Sequence, residues 1–118
     1  PLSGSEWAIV EQHPVVGEQI CRELRSLHDV CPIVRSHHER LDGSGYPDGL
    51  TGEDIPITAQ IVSLADAYDS LTTDRPYRPA VAVDVAIGIL RREATRGWRR
   101  SDLIETLAQV LKFDETIY

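Results

Sequence analysis

The chain has 118 residues, 42% of them hydrophobic and 26% charged, which suits a folded globular domain rather than a disordered or fibrous segment. Twelve basic residues against nineteen acidic ones leave a formal net charge of -7, which argues against broad binding to polymeric nucleic acid. No run of about 18 apolar residues is present to form a membrane segment. Cys21 and Cys31 are too few and wrongly spaced for a zinc ribbon or a disulfide framework, so a cytoplasmic setting is expected.

The chain begins at Pro1 and contains no Met, so it reads as a piece of a longer protein. Ser3 followed by Glu6 predicts a capped first helix with Trp7, Val10 and Ile9 on its inner face. Pro14 is expected to end that helix or start the next one, leaving His13 at the junction. Val16, Ile20, Leu24 and Leu27 then recur at helical spacing. A short helix is predicted from about Asp29, its N-cap, with Pro32 in the first turn and Val30, Ile33, Val34 and His37 on one face. Residues 40–56 carry four glycines and two prolines, too many for a regular element, and read as a functional loop.

Ile57, Ile61, Leu64, Ala65, Tyr68 and Leu71 predict a long buried helix, followed by a second loop over residues 72–80. Val83, Ile87, Leu90 and Ala94 predict a further helix stopped by Gly97. Ser101 or Asp102 caps a last helix through Leu103, Ile104, Leu107, Val110 and Leu111. The fold class is therefore all-α, a helical bundle of about five to six helices with two residue-rich loops.

The stretch HHERLDGSGYPDGL, residues 37–50, concentrates the chemistry. Neighbouring helical side chains diverge by about 100°, yet His37 and His38 can reach one ion if it lies over the helix end. Imidazole pairs are first-row metal ligands, although a histidine on an apolar face is often a satisfied core residue. Asp66 interrupts an apolar helix, where a carboxylate needs a metal or an arginine as partner. Asp69, three residues on, reads either as an acceptor that orients a histidine or as an exposed carboxylate. His28-Asp29 reads as a turn. Arg75 and Arg78 in the second loop suit phosphate oxygens, or else pair with Asp74. The arginines between 91 and 100 read as a solvated face near a helix C-terminus.

His13-Pro14 with Gly17, then HHERLDGSGYPDGL, then IPITAQIVSLADAYDSLTTDRPYR, together resemble the HD-GYP domain, a branch of the HD phosphohydrolase superfamily. The resemblance covers roughly residues 1–90 of a partial domain spanning 1–118, while the segment 97–118 departs from the usual pattern. It implies an all-helical metal-dependent phosphodiesterase that hydrolyses cyclic di-GMP to pGpG or GMP in bacterial signalling. By position it implies His13, His37, His38 and Asp66 as metal ligands. It further implies Gly43, Gly45, Tyr46, Pro47, Arg75 and Arg78 as substrate-binding residues. A mixed nitrogen and oxygen donor set suits iron, manganese or zinc more than magnesium. The family's His-Asp dyad lies upstream of the stretch that begins here at Pro1, so no catalytic dyad is assigned and little or no turnover is expected of these residues alone. The alternative is a degenerate module that binds a nucleotide or a partner protein. Implied partners are a cyclic dinucleotide, an upstream regulatory domain and, through apolar surface left uncovered, a second copy of the chain.

Overall fold

The computed structural model describes the backbone of residues 3–117 and the side chains of residues 3–112. Among the described residues the chain is all-α, with five α-helices and no strand. They are α1 (Gly4–Glu23), α2 (Cys31–Ser36), α3 (Ile57–Thr72), α4 (Val83–Thr95) and α5 (Ser101–Ile117). The chain divides into two compact units, residues 1–62 and residues 63–118.

In the first unit, Ser3 caps α1 as expected, its Oγ accepting the Glu6 N–H at 3.2 Å. Pro14 does not break the helix, contrary to the sequence reading: α1 runs through it for 20 residues. Proline inside a helix costs about 3 kcal/mol because it removes a hydrogen bond and crowds the preceding turn. Here the pyrrolidine is almost fully buried, and the carbonyl it leaves unpaired is taken by a side chain described below.

The end of α1 is closed by His28, whose Nε2 lies 2.7 Å from the Arg22 carbonyl. A 3₁₀ helix, Arg25–Val30, leads straight into α2. Asp29 lies inside that turn and is not the expected N-cap; Val30 precedes α2 without a side-chain cap. The tight turn supplies a partner itself, since the Cys31 N–H meets the His28 carbonyl, and Pro32 has no N–H to satisfy.

The inner face of α1 also differs from expectation. Trp7 and Ile9 are 48% and 72% exposed, and Val16, Ile20 and Leu24 are exposed as well. The helix buries Pro14 and Glu18 instead. At Gly17 a Cβ would come within 2.9 Å of Val34 Cγ1, so the bare backbone of α1 accepts the α2 side chain. Ile9, Val16 and Ile20 are left lining an open apolar groove.

In the second unit, Leu64 of α3, Ile87 and Leu90 of α4, and Ile104 of α5 form the buried core. Ala67, Tyr68, Leu71, Leu103 and Leu107 pack around it. Ile57, Ile61 and Ala65 of α3, expected to be buried, are exposed. Gly97 ends α4 as predicted, at a φ of 85° that only glycine adopts freely, and the Trp98 N–H reaches back to the Glu93 carbonyl.

Arg91, Arg92, Arg96 and Arg100 are exposed at this end, as expected. Arg91 forks onto Glu105, Arg100 forks onto Asp102, and Arg96 lies over the Trp98 ring. Half-buried Arg99 joins Glu93 to Ser63.

Candidate metal centre

Three histidines converge in the first unit. His13 projects from the middle of α1, His37 is the C-cap of α2, and His38 follows it. Each offers a ring nitrogen, and these atoms all lie within 4.8 Å of one another. His13 Nε2 and His38 Nε2 are 3.1 Å apart. Two nitrogens bound at right angles, each about 2.1 Å from one ion, are separated by about 3 Å, so this pair has the spacing of adjacent ligands.

The other ring nitrogens fix which atom faces the centre. His13 Nδ1 lies 2.6 Å from the Val10 carbonyl and His37 Nδ1 lies 2.7 Å from the Val34 carbonyl. A carbonyl oxygen only accepts, so both Nδ1 atoms carry the proton and both Nε2 atoms present a lone pair. Histidines that ligate metals are held in this way, by donating the second ring N–H to a carbonyl or carboxylate. The donor set therefore fits a divalent first-row cation.

The glycine loop is folded back over the histidine turn. The Tyr46 N–H donates to the His38 carbonyl at 3.2 Å, and the Tyr46 ring stacks on His38 with centroids 5.1 Å apart and planes 20° from parallel. Burial, reinforced by the Glu11 charge, pushes the Tyr46 phenol above its ordinary pKa. Gly45 lies so close to the turn that a Cβ would meet the His38 carbonyl oxygen, the Arg40 nitrogen and the Glu39 Cα. Gly43 has a φ of 85°, and Asp42 Oδ1 accepts the Ser44 N–H and hydroxyl, which lowers the Asp42 pKa. Pro47 is half-buried.

Four residues given no role in the sequence analysis hold this arrangement. Glu39 is buried, and its two carboxylate oxygens accept the N–H groups of Asp48 at 2.7 Å and Leu50 at 2.9 Å. Arg35 forks onto Asp48 at 2.8 and 2.9 Å and also donates to the buried Glu18 at 3.0 Å. Those contacts raise the Arg35 pKa, and the guanidinium holds the Asp48 carboxyl below its ordinary range. Glu18, Arg35 and Asp48 thus tie α1, α2 and the loop together. The signal in the sequence was an acid inside the apolar stretch Val15–Ile20, and an acid directly after His38.

The remaining candidates lie in the second unit. Asp66 is exposed on α3 rather than buried in an apolar rod. Asp69 is exposed and accepts from the Thr73 hydroxyl at 3.3 Å. Arg75 and Arg78 exchange backbone hydrogen bonds across a tight turn, with Tyr77 85% exposed at its corner. The Arg78 guanidinium donates to the Ser70 carbonyl at 2.7 Å and to its hydroxyl at 3.2 Å, while Arg75 is exposed.

A family model described as HD domain matches residues 1–115. The chain belongs to the HD domain family. Among curated relatives, the 3'3'-cGAMP-specific phosphodiesterase 3 of Vibrio cholerae is 38% identical over 75% of this chain and 19% of its own length. The cyclic di-GMP phosphodiesterase response regulator RpfG of Xanthomonas campestris is 40% identical over 80% of this chain and 26% of its own. Among solved structures, Bd1817, an HDG"Y"P protein from Bdellovibrio bacteriovorus, superposes with a TM-score of 0.72 at 28% identity. That match covers 94% of this chain and 35% of Bd1817. The resemblance to the HD-GYP branch is borne out, and the HD domain described here spans about a fifth to a quarter of these curated relatives. No helix among the described residues is long and apolar enough to cross a membrane.

Proposed function

We propose that this HD domain is part of a metal-dependent phosphodiesterase acting on a cyclic dinucleotide, cyclic di-GMP first. The observation that carries the reading is the histidine cluster, whose ring nitrogens lie within 4.8 Å of one another and two of whose members hold Nδ1 against a backbone carbonyl. It is supported by relatives named as cyclic di-GMP and 3'3'-cGAMP phosphodiesterases.

In this proposal His13, His37 and His38 hold a divalent cation, with iron or manganese preferred to zinc, and Asp66 is assigned as a carboxylate ligand. When bound, such cations supply Lewis acidity for phosphodiester hydrolysis. His13 and His37 contribute neutral donors whose protons stay on Nδ1, committed to Val10 and Val34. Tyr46 holds the His38 ring from one face, and Gly45 lets the loop backbone pass close enough for it to do so. Gly43, Pro47, Arg75 and Arg78 are assigned to the substrate, the arginines by the match of a guanidinium to phosphate oxygens. Asp69 is assigned to orient a ligand. Metal binding is assigned to this chain and turnover to the whole protein.

The test is two-stage. Calorimetric titration of the chain with Mn²⁺ or Co²⁺ should show binding that is lost in His37→Ala. The full-length protein, loaded with Mn²⁺ or Fe²⁺, should convert cyclic di-GMP or 3'3'-cGAMP to linear products resolved by chromatography. No uptake by the chain, or no conversion of either dinucleotide by the full-length protein, overturns the proposal.

A further inference from the structure

We propose that Pro14 is a positioning residue: by withholding an N–H from α1 it reserves the Val10 carbonyl for His13 and so turns His13 Nε2 toward the other two histidines. In an uninterrupted α-helix the N–H of residue 14 would donate to the carbonyl of residue 10. Proline has no such donor. Yet α1 continues without a break from Gly4 to Glu23, with Pro14 almost fully buried at its centre. A main-chain carbonyl deprived of its partner is costly unless something else pairs with it. What pairs with it is His13 Nδ1, at 2.6 Å.

The same device recurs at the second ligand by another route. His37 Nδ1 meets the carbonyl three residues behind it, Val34, at 2.7 Å. Val34 lies in the last turn of α2, where helical carbonyls lose their usual donors because the helix stops. His37 therefore finds an available carbonyl at a helix end. His13 sits in mid-helix, where every carbonyl would otherwise be engaged. Proline at position 14 creates there, inside a rigid helix, the vacancy that a helix terminus gives for nothing. The two imidazoles acquire the same tautomer, with both Nε2 lone pairs directed at the cluster, and His13 Nε2 comes to 3.1 Å from His38 Nε2.

This inference rests on the metal reading above, and the experiment separates the two. Pro14→Ala restores an N–H that competes for the Val10 carbonyl. Histidine side-chain nitrogens of the metal-free wild-type chain, observed by ¹⁵N NMR above pH 8, should show His13 protonated on Nδ1. In Pro14→Ala that preference should relax toward a mixture, and Co²⁺ affinity measured by calorimetry should fall about tenfold, as when a partner behind a metal ligand is removed. Tm should be retained or raised, because the helix regains a hydrogen bond. A proline with only a structural role would move Tm and leave affinity and tautomer alone. Wild-type His13 protonated on Nε2, or a Pro14→Ala variant with unchanged tautomer and Co²⁺ affinity within twofold, overturns the inference. The wild-type spectrum decides even if the variant does not fold. Failure of the wild-type chain to take up Co²⁺ removes the metal reading and this inference with it, whereas Co²⁺ uptake with the proton on Nε2 removes only the role of Pro14.

Discussion

Replacing Glu39 by alanine tests what holds the glycine loop against the histidine turn. Glu39 is 6% exposed, and its carboxylate accepts two loop N–H groups, from Asp48 at 2.7 Å and Leu50 at 2.9 Å. A hydrogen bond to a charged group contributes about 1.5–3 kcal/mol, so the pair bounds the effect at roughly 3–6 kcal/mol. Asp48 is itself exposed and Leu50 half-buried. Water therefore replaces part of the lost bonding, and opening of the loop should become easier by about 2–3 kcal/mol. At 1.4 kcal/mol per tenfold, that is roughly 30- to 150-fold faster amide exchange. Hydrogen exchange of the Asp48 and Leu50 amides, followed by NMR, reads this directly. The amides of Ile87 and Leu90, in the core of the second unit, serve as the unchanged reference. Glu39→Gln keeps one acceptor oxygen but sets an NH₂ against the other N–H, so one of the two amides should lose most of its protection. Unaltered exchange at both amides in Glu39→Ala would refute the reasoning, because the carboxylate would then hold nothing.

Gly45→Ala places a methyl against backbone atoms, 2.5 Å from the Arg40 nitrogen and 2.6 Å from the Glu39 Cα, so the loop must lift. Tyr46 should then leave His38, and Co²⁺ affinity should drop by about tenfold or more; calorimetry showing wild-type affinity would contradict this. The Asp48 carboxyl has a depressed pKa through Arg35, so its stabilising contribution is complete above the ordinary carboxylate pKa and is lost as pH falls through the lower native value. The stability difference between wild type and Asp48→Asn, from urea unfolding, should hold from neutral pH to about pH 4 and shrink below it; a difference that grows on acidification would reverse the sign. Ile20 on α1 and Leu24 just after it are 61% and 50% exposed, so Ile20→Gln with Leu24→Gln should leave Tm nearly unchanged while weakening concentration-dependent association in sedimentation velocity. Identical sedimentation of the two proteins would show that this face is not adhesive.

The punctuation of the helices was legible because its causes are local. Ser3 meets an N–H three residues away and Gly97 adopts a positive φ of its own. The three histidines were legible as residue types, and the long loop after His38 announced that His37 and His38 lay at a helix end. Pro14 misled because its penalty was read in isolation, whereas the side chain directly before it satisfies the carbonyl it vacates. Asp29 misled because a 3₁₀ turn leaves no free helix start to cap. The apolar stripe of α1 misled because the helix packs through Gly17, where absence of a side chain decides the contact. Glu18, Arg35, Glu39 and Asp48 were invisible for a different reason. The contacts that tie them across α1, α2 and the loop join residues 9 to 17 apart in the chain, beyond any helical periodicity.

Gly17 has a mechanical consequence. It stands one helical turn after His13, and Val34 stands about one turn before His37 and His38. The crossing of α1 over α2 is therefore a fulcrum, with the clustered imidazoles at the short ends of both levers. A methyl inserted at this pivot would prise the two rods apart by tenths of an ångström, and the 3.1 Å gap between the imidazoles of His13 and His38 would widen with them. The bite of the cluster is thus gauged by a residue that touches no ion and carries no functional group.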